Sequence, residues 1–172
     1  DPANRDRGFG ITVYLGKRKG SASTSDTTPE AVEATVLAAC NIARFTEEDA
    51  CHGLADAALM ARVLPELDLA HPWSPTVDDV ETAAREAEAA ARAYDRRITN
   101  SDGASVATQR GCSVYGNSQG FLGSRIGTRH SISCGVIAED AKGKQREHHY
   151  TIARRVDDLE AAEHVGAEAA RR

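Results

Sequence analysis

The alternation of hydrophobic and polar residues changes its period along this sequence, and each period predicts a different secondary structure. Residues 10–15 (GITVYL) alternate with a period of two and contain β-branched and aromatic side chains, a pattern typical of a strand. Residues 16–20 are predicted to form a turn, and residues 21–25 show a weaker second strand pattern. Two strand patterns joined by a predicted turn indicate a β-hairpin near the start of the chain.

Two longer segments repeat their apolar residues at spacings of three and four, which predicts amphipathic helices. The first helix is predicted to start at a capping box over Thr27–Glu30, with Pro29 in its first turn, and to end near Arg44. The second is predicted to start at Thr76, with Asp79 completing its capping box. Its apolar stripe consists of Val77, Val80, Ala84, Ala87, Ala91 and Tyr94. Because most of this stripe is alanine, we expect close packing against a sheet or another helix.

The stretch between these helices, about thirty residues long, is predicted to be a connector with one short helix around Ala55–Ala61. Beyond the second helix the pattern returns to strands. Three strands are predicted over Ser105–Tyr115, Phe121–Ala138 and Arg146–Arg154, with turns at residues 117–120 and 139–143. A last helix is predicted over Asp157–Arg171.

The order of these elements predicts the fold class. Strands and helices come in blocks, and the short connections between consecutive strands favour antiparallel pairing. We therefore predict an α+β fold with an antiparallel sheet and helices packed mainly on one face. With 172 residues, the chain is predicted to be a single domain over residues 1–172. The first residue is not methionine and a helical pattern still runs at Arg172, so we expect a fragment of a longer chain.

Composition argues against several classes of function. A formal net charge of −5 and a pI near 5.7 disfavour a nucleic-acid-binding surface, and the basic run Lys17–Lys19 is interpreted as a solvated turn. The sequence has no apolar run of the ~20 residues that a membrane span needs, and no signal peptide. Four scattered cysteines do not suggest a disulfide framework, so we expect a cytoplasmic protein.

The glycine-rich stretch YGNSQGFLG, residues 115–123, is a candidate binding loop. A phosphate-binding loop needs glycines at set offsets and a following helix whose N-terminus meets the anion. Here the glycines fall at 116, 120 and 123, and the next residues have a strand pattern. We interpret the stretch as a hairpin turn. Residues 98–103 are interpreted as a turn into the sheet, with a binding role as the alternative.

Metal ligands and nucleophiles have little support in the sequence. Cys51–His52 is an isolated adjacent pair, and His148 and His149 would point to opposite faces of a predicted strand. His130 is expected at one end of an apolar row that continues through Ile132 and Cys134. We interpret the cysteines as buried structural residues and the histidines as surface residues. No catalytic, metal-binding or cofactor-binding residue is predicted within the chain.

Three segments taken together resemble a known protein family. They are residues 7–16 (RGFGITVYLG) with residues 20–25 (GSASTS), residues 97–105 (RITNSDGAS), and residues 115–123 with residues 129–134 (RHSISC). In this order and spacing they resemble the N-terminal domain of the PmbA/TldE proteins, which are also described as modulators of DNA gyrase. The resemblance covers nearly the whole chain.

The resemblance implies the non-catalytic subunit of a TldD/TldE-type peptidase in the cytoplasm. In that system two homologous subunits form a heterodimer that degrades unfolded or peptide substrates, and the zinc site lies in the TldD-type partner. The family's zinc motif, His-Glu-x-x-x-His, is absent from this sequence, so no catalytic, metal or cofactor residue is carried over to it. The three-strand block further suggests a sheet edge to which an extended peptide adds as a strand.

Two alternatives stay open at this point. One is a protein-interaction module without a proteolytic role. The other is the front end of a TldD-like catalytic chain, whose zinc motif would lie beyond Arg172. Direct contact with a DNA duplex is not expected, because the chain is acidic and has no basic stripe.

Overall fold

The computed structural model describes residues 5–172, and the chain divides into two compact units, residues 1–60 and residues 61–172. The described residues contain three α-helices and two antiparallel sheets, of two and three strands. This arrangement confirms the predicted α+β class. Folding of both units as one domain over residues 1–172 stays a prediction.

The first unit contains a β-hairpin. Strands β1 (Phe9–Leu15) and β2 (Arg18–Thr24) pair antiparallel. Their turn has two residues and is shorter than the predicted turn over residues 16–20. Gly16 in this turn has a positive φ of 62°, a conformation that glycine adopts without a steric penalty.

Helix α1 (Pro29–Phe45) packs on both strands of this hairpin. Its N-cap is Thr28, whose Oγ1 accepts a hydrogen bond from Ala31 N at 3.4 Å, so the predicted capping box at Thr27 is one residue too early. Pro29 occupies the first helical position, which makes the residue before it the cap. Gly20 of β2 lies directly against the helix backbone, because an added Cβ would overlap it.

The connector after α1 has less regular structure than predicted. Instead of a short helix over Ala55–Ala61, it contains one 3-10 turn at Ala57–Leu59. The Asp56 carboxylate caps this turn by accepting a hydrogen bond from Ala58 N at 2.9 Å. An isolated turn of this kind needs only its local cap and buries none of its residues.

The second unit is built on a sheet of three antiparallel strands in the order β3–β4–β5. The strands are β3 (Ile98–Gly116), β4 (Leu122–Asp140) and β5 (Gly143–Ala153). All three predicted strands are confirmed. Residues 98–103 do not form the predicted turn, because they are the first part of β3. Two shifts in register there mark β-bulges, which disturb the alternation of side chains.

Helix α2 (Val77–Tyr94) has the predicted capping box. Asp79 N donates to Thr76 Oγ1 at 3.1 Å, and Thr76 N donates to Asp79 Oδ2 at 2.9 Å. The short hydrogen bonds to its carboxylate also lower the pKa of Asp79. This helix start is fixed by residues that are close in sequence.

Helix α3 (Ala162–Arg171) begins later than the predicted start at Asp157. The residues before it form a 3-10 turn at Val156–Asp158 and then an extended stretch. Glu160 N donates to Thr151 Oγ1 at 3.1 Å, which holds this stretch against β5 and delays the helix.

The core of the second unit lies between α2, α3 and one face of the sheet, as predicted. From His130 to Val136, the even-numbered side chains of β4 are buried in it and alternate with half-buried odd-numbered residues. The buried core residues are Ala87, Ala91, Ile132, Cys134, Val136, Ala162, Val165 and Ala169. Most of the helix contribution is alanine, which allows α2 and α3 to approach closely. Within residues 5–172, no helix has the length and apolar character needed to cross a membrane.

Candidate functional site

The β3–β4 hairpin extends beyond the third strand of the sheet. β5 ends where Ala153 pairs with His130, whereas β3 and β4 stay paired as far as Gly116 and Leu122. We call the two-stranded part, residues 109–129, the hairpin arm. Most of its side chains are exposed.

The glycine-rich stretch of residues 115–123 closes the hairpin arm, as predicted. Asn117 Oδ1 accepts hydrogen bonds from Gln119 N at 3.1 Å and from Phe121 N at 3.3 Å, and Gly120 has a positive φ of 88°. The next element is strand β4. The stretch therefore has no following helix whose N-terminus would bind a phosphate.

The base of the hairpin arm is fastened to the connector through Thr128, which is 2% exposed. Thr128 N donates to Leu69 O at 2.8 Å. The Thr128 hydroxyl donates to Arg154 O at 2.8 Å and accepts from His71 N at 2.9 Å. The connector thus continues the hydrogen bonding of β4 where β5 ends, so this side of the arm is occupied at its base.

His130 lies beside this anchor and is fully buried, in contrast to the prediction that the histidines are surface residues. Its Nε2 lies 2.9 Å from His71 O and its Nδ1 lies 2.8 Å from Thr108 Oγ1. Because a carbonyl only accepts, Nε2 is the donor, and the Thr108 hydroxyl is placed to donate to Nδ1. The Trp73 ring lies perpendicular to the imidazole ring, with the two ring centroids 5.6 Å apart. With both nitrogens engaged, His130 acts as a structural residue.

The outer edge of β3 has free backbone groups, whose positions follow from the turn. Asn117 N donates to Phe121 O at 3.0 Å, and hydrogen-bonded pairs recur at every second residue of an antiparallel ladder. Odd-numbered residues of β3 within the arm therefore bond to β4. The even-numbered residues direct N–H and C=O toward the outer edge, where β3 has no partner among the described strands. These residues are Val106, Thr108, Arg110, Cys112 and Val114.

Charge on the hairpin arm is entirely positive. Its charged residues are Arg110, Arg125 and Arg129, and all three are exposed. None of them forms an ion pair or hydrogen bond with another residue that the structure describes. Several other arginines of the unit do have partners: Arg146 bonds to Asp102, and Arg155 Nη2 lies 2.5 Å from Asp68 Oδ2. The arm is therefore a basic region in a chain whose formal net charge is −5.

Within residues 5–172, no three His, Cys, Asp or Glu side chains are placed to hold a metal ion. His149 and His164 place Nε2 at 3.1 Å and 3.3 Å from the same Glu160 oxygen, Oε2. Because both nitrogens are directed at one carboxylate oxygen, the cluster does not fit a zinc ion. His148 points to the other face of β5 and stacks on Tyr150, as the alternation predicted.

The four cysteines are free and differ in exposure. Cys134 is buried and Cys40 is half-buried, whereas Cys51 and Cys112 are exposed. The interpretation of the cysteines as buried residues is therefore wrong for Cys51 and Cys112, which lie on a loop and on the hairpin arm. Burial, reinforced by the charge of Glu88, raises the pKa of the Cys134 thiol. A thiol of this kind is a poor nucleophile.

Comparison with known proteins identifies the family. Residues 3–43 match the profile of the PmbA/TldA metallopeptidase domain 1, and residues 70–172 match that of the PmbA/TldA metallopeptidase central domain. The chain is 47% identical over 169 residues to metalloprotease PmbA of Escherichia coli O157:H7. The chain belongs to the PmbA/TldD family. The resemblance predicted from the three quoted segments is confirmed.

Other members of the PmbA/TldD family agree with this assignment. The metalloprotease PmbA homolog of Haemophilus influenzae is 43% identical over 97% of this chain. The chain covers 38% of the Escherichia coli protein and 37% of the Haemophilus influenzae protein. It therefore spans less than half of the length of these relatives.

Two solved structures share the fold. A proposed modulator of DNA gyrase from Bacteroides thetaiotaomicron superposes with a TM-score of 0.78 over 94% of this chain and 38% of that chain, at 23% identity. TldE from Thermococcus kodakarensis gives a TM-score of 0.63 over 97% of this chain and 42% of that chain, at 15% identity. At these identities the likeness concerns the fold alone.

Proposed function

We propose that this chain belongs to the non-catalytic, TldE/PmbA-type subunit of a TldD/TldE-type heterodimeric zinc metallopeptidase. Its role would be to dock unfolded or peptide substrates. The observation that carries the proposal is the outer edge of β3, where free backbone groups recur at every second residue from Val106 to Val114. An extended peptide that adds to such an edge forms main-chain hydrogen bonds.

β3 is better suited to this role than β5, the other edge strand of the sheet. Proteins protect edge strands with charged side chains, proline and short length. β5 has 11 residues and carries Lys144, Arg146 and Glu147, whereas β3 has 19 residues. Between residues 104 and 116, β3 contains no proline and a single charged residue, Arg110. Its edge is therefore open to another strand.

Main-chain recognition would suit a peptidase that accepts many sequences. Hydrogen bonds to N–H and C=O groups do not depend on the side chains of the substrate, and the pockets between alternate side chains set any preference. The zinc chemistry would be supplied by a homologous TldD-type subunit. A cytoplasmic location is part of the proposal and is supported by the four free cysteines.

A proline substitution tests the edge directly. Cys112 directs its N–H outward, so Cys112→Pro removes an edge donor without breaking the ladder to β4. In the full chain combined with a TldD-type subunit, we expect about fivefold slower cleavage of an unstructured peptide, the effect of one lost hydrogen bond. Cleavage is measured with and without a chelator, and the melting temperature of each variant is recorded.

The matched control is Cys112→Ala, which changes the same side chain and keeps the N–H. This variant should cleave the peptide at the parental rate. Equal cleavage by the proline and alanine variants would refute docking at the β3 edge. Binding to the TldD-type subunit without any chelator-sensitive cleavage would instead favour an interaction module without a proteolytic role.

A further inference from the structure

We propose that the hairpin arm prefers extended segments that carry two carboxylates four residues apart, with apolar side chains between them. The segment would add to the outer edge of β3, so the inference rests on the proposed function and narrows its substrate class. The carboxylates would meet Arg125 and Arg129, which lie on one face of the arm.

The charge pattern favours an acidic occupant. Residues 103–138 contain three arginines and no aspartate or glutamate, although the whole chain has a formal net charge of −5. The three guanidinium groups have no ion-pair partner among residues 5–172. A strand with carboxylates would supply these partners on binding, and complementary charges also speed the encounter of two molecules.

The register of the hairpin arm sets the spacing of these carboxylates. Arg125 pairs with Ser113 and Arg129 pairs with Gln109, so both arginines point to the same face, four residues apart along β4. This separation corresponds to about 13 Å, which four residues of an extended peptide also span. A strand added to β3 would lie about 10 Å from β4, within the combined reach of an arginine and a glutamate side chain.

A small side chain separates Arg125 from the free edge of β3. On the same face, a Cβ added at Gly123 would lie 3.1 Å from the Phe121 ring and 3.2 Å from Leu64 Cδ1. One added at Gly127 would lie 3.2 Å from Arg154 Nη1 and 3.6 Å from Leu69 Cβ. These side chains therefore flank Arg125 along β4. The small side chain of Ser113 lies between Arg125 and the free edge of β3.

The opposite face of the hairpin arm carries Arg110 near its base and is mainly apolar toward its tip. Val114 is 66% exposed, Leu122 is 73% exposed and Ile126 is 47% exposed, and the exposed Cys112 lies among them. Residues of an added strand alternate between the two faces. With carboxylates at positions i and i+4 of the added strand, residues i+1 and i+3 would therefore contact this apolar face. Valine or leucine is expected at these two positions.

Two synthetic peptides of identical composition test the inference with the full chain. One carries glutamates at i and i+4 with valines at i+1 and i+3, and its isomer carries the glutamates at i and i+3. Fluorescence anisotropy should show about threefold tighter binding of the first peptide, because only that spacing pairs both arginines and the isomer loses one exposed ion pair. This preference should disappear in the Arg125→Gln/Arg129→Gln double variant. Arg110→Gln, on the other face, should weaken both peptides equally and keep the preference.

The outcomes separate this inference from the proposed function. Equal affinity of the two isomers, or a preference that survives in the double variant, would overturn the carboxylate spacing and leave the β3 edge in place. Tighter binding of an oligonucleotide than of the first peptide would also overturn it. If Cys112→Pro bound the first peptide as tightly as Cys112→Ala, the β3 edge itself would be refuted, and the proposed function with it.

Discussion

Replacing Gly166 by alanine is expected to lower the free energy of unfolding by about 3 kcal/mol, although alanine is the better helix former. Gly166 lies in α3 where this helix crosses α2. A Cβ at this position would overlap the carbonyl oxygen of Ala87 and lie 2.7 Å from its carbonyl carbon. Because both atoms belong to the backbone of α2, no side chain can rotate away. The two helices would have to separate along their alanine-lined contact.

The sign of this change distinguishes close packing from helix propensity. Without the close contact, Gly166→Ala would stabilise α3 by up to about 1 kcal/mol. Gly111→Ala is the matched control, because a Cβ there meets no atom within 4 Å. Urea unfolding, followed by circular dichroism, should show a large loss of unfolding free energy for Gly166→Ala and little change for Gly111→Ala. Unchanged or increased stability of Gly166→Ala would contradict the described helix crossing.

Replacing His130 by alanine is expected to cost about 3 kcal/mol of stability. The ring is fully buried, and the substitution would leave a cavity next to Trp73. It would also leave the Thr108 hydroxyl and His71 O without the hydrogen bonds that they now form with the ring. The connector would lose one of its attachments to the base of the hairpin arm, while the hydrogen bonds to Thr128 would remain.

The control for this substitution is His148→Ala. His148 is exposed on the other face of β5, so its removal should change the stability by less than about 0.5 kcal/mol. Thermal unfolding of the two variants checks the comparison. A His130→Ala variant as stable as His148→Ala would show that the His71–His130–Thr108 contacts do not hold the connector.

Local signals in the sequence predicted the elements that depend on neighbouring residues. The capping box at Thr76 and Asp79 is confirmed. It could be predicted because all of its hydrogen-bonding groups lie within four consecutive residues. The cap of α1 was predicted one residue early because Thr27 and Thr28 both have capping side chains, and only Pro29 decides between them. The start of β3 was missed because bulges disturb the alternation that predicts a strand.

Features that depend on distant residues could not be predicted in this way. Alternation placed His130 at the end of an apolar row, but its burial is completed by His71 and Trp73, which come from the connector. The unpaired edge of β3 likewise depends on the order of the strands. The basic character of the hairpin arm could have been found in the sequence, because residues 103–138 contain arginines and no acidic residue.

Hydrogen exchange at single-residue resolution along β3, in the full chain with and without an unstructured peptide, tests whether peptides add to this edge. Bound peptide should slow exchange at alternate amides: Val106, Thr108, Arg110, Cys112 and Val114. The odd-numbered amides between them already bond to β4 and should change little. Slowing that is confined to β5, or that affects neighbouring β3 amides equally, would contradict strand addition at this edge.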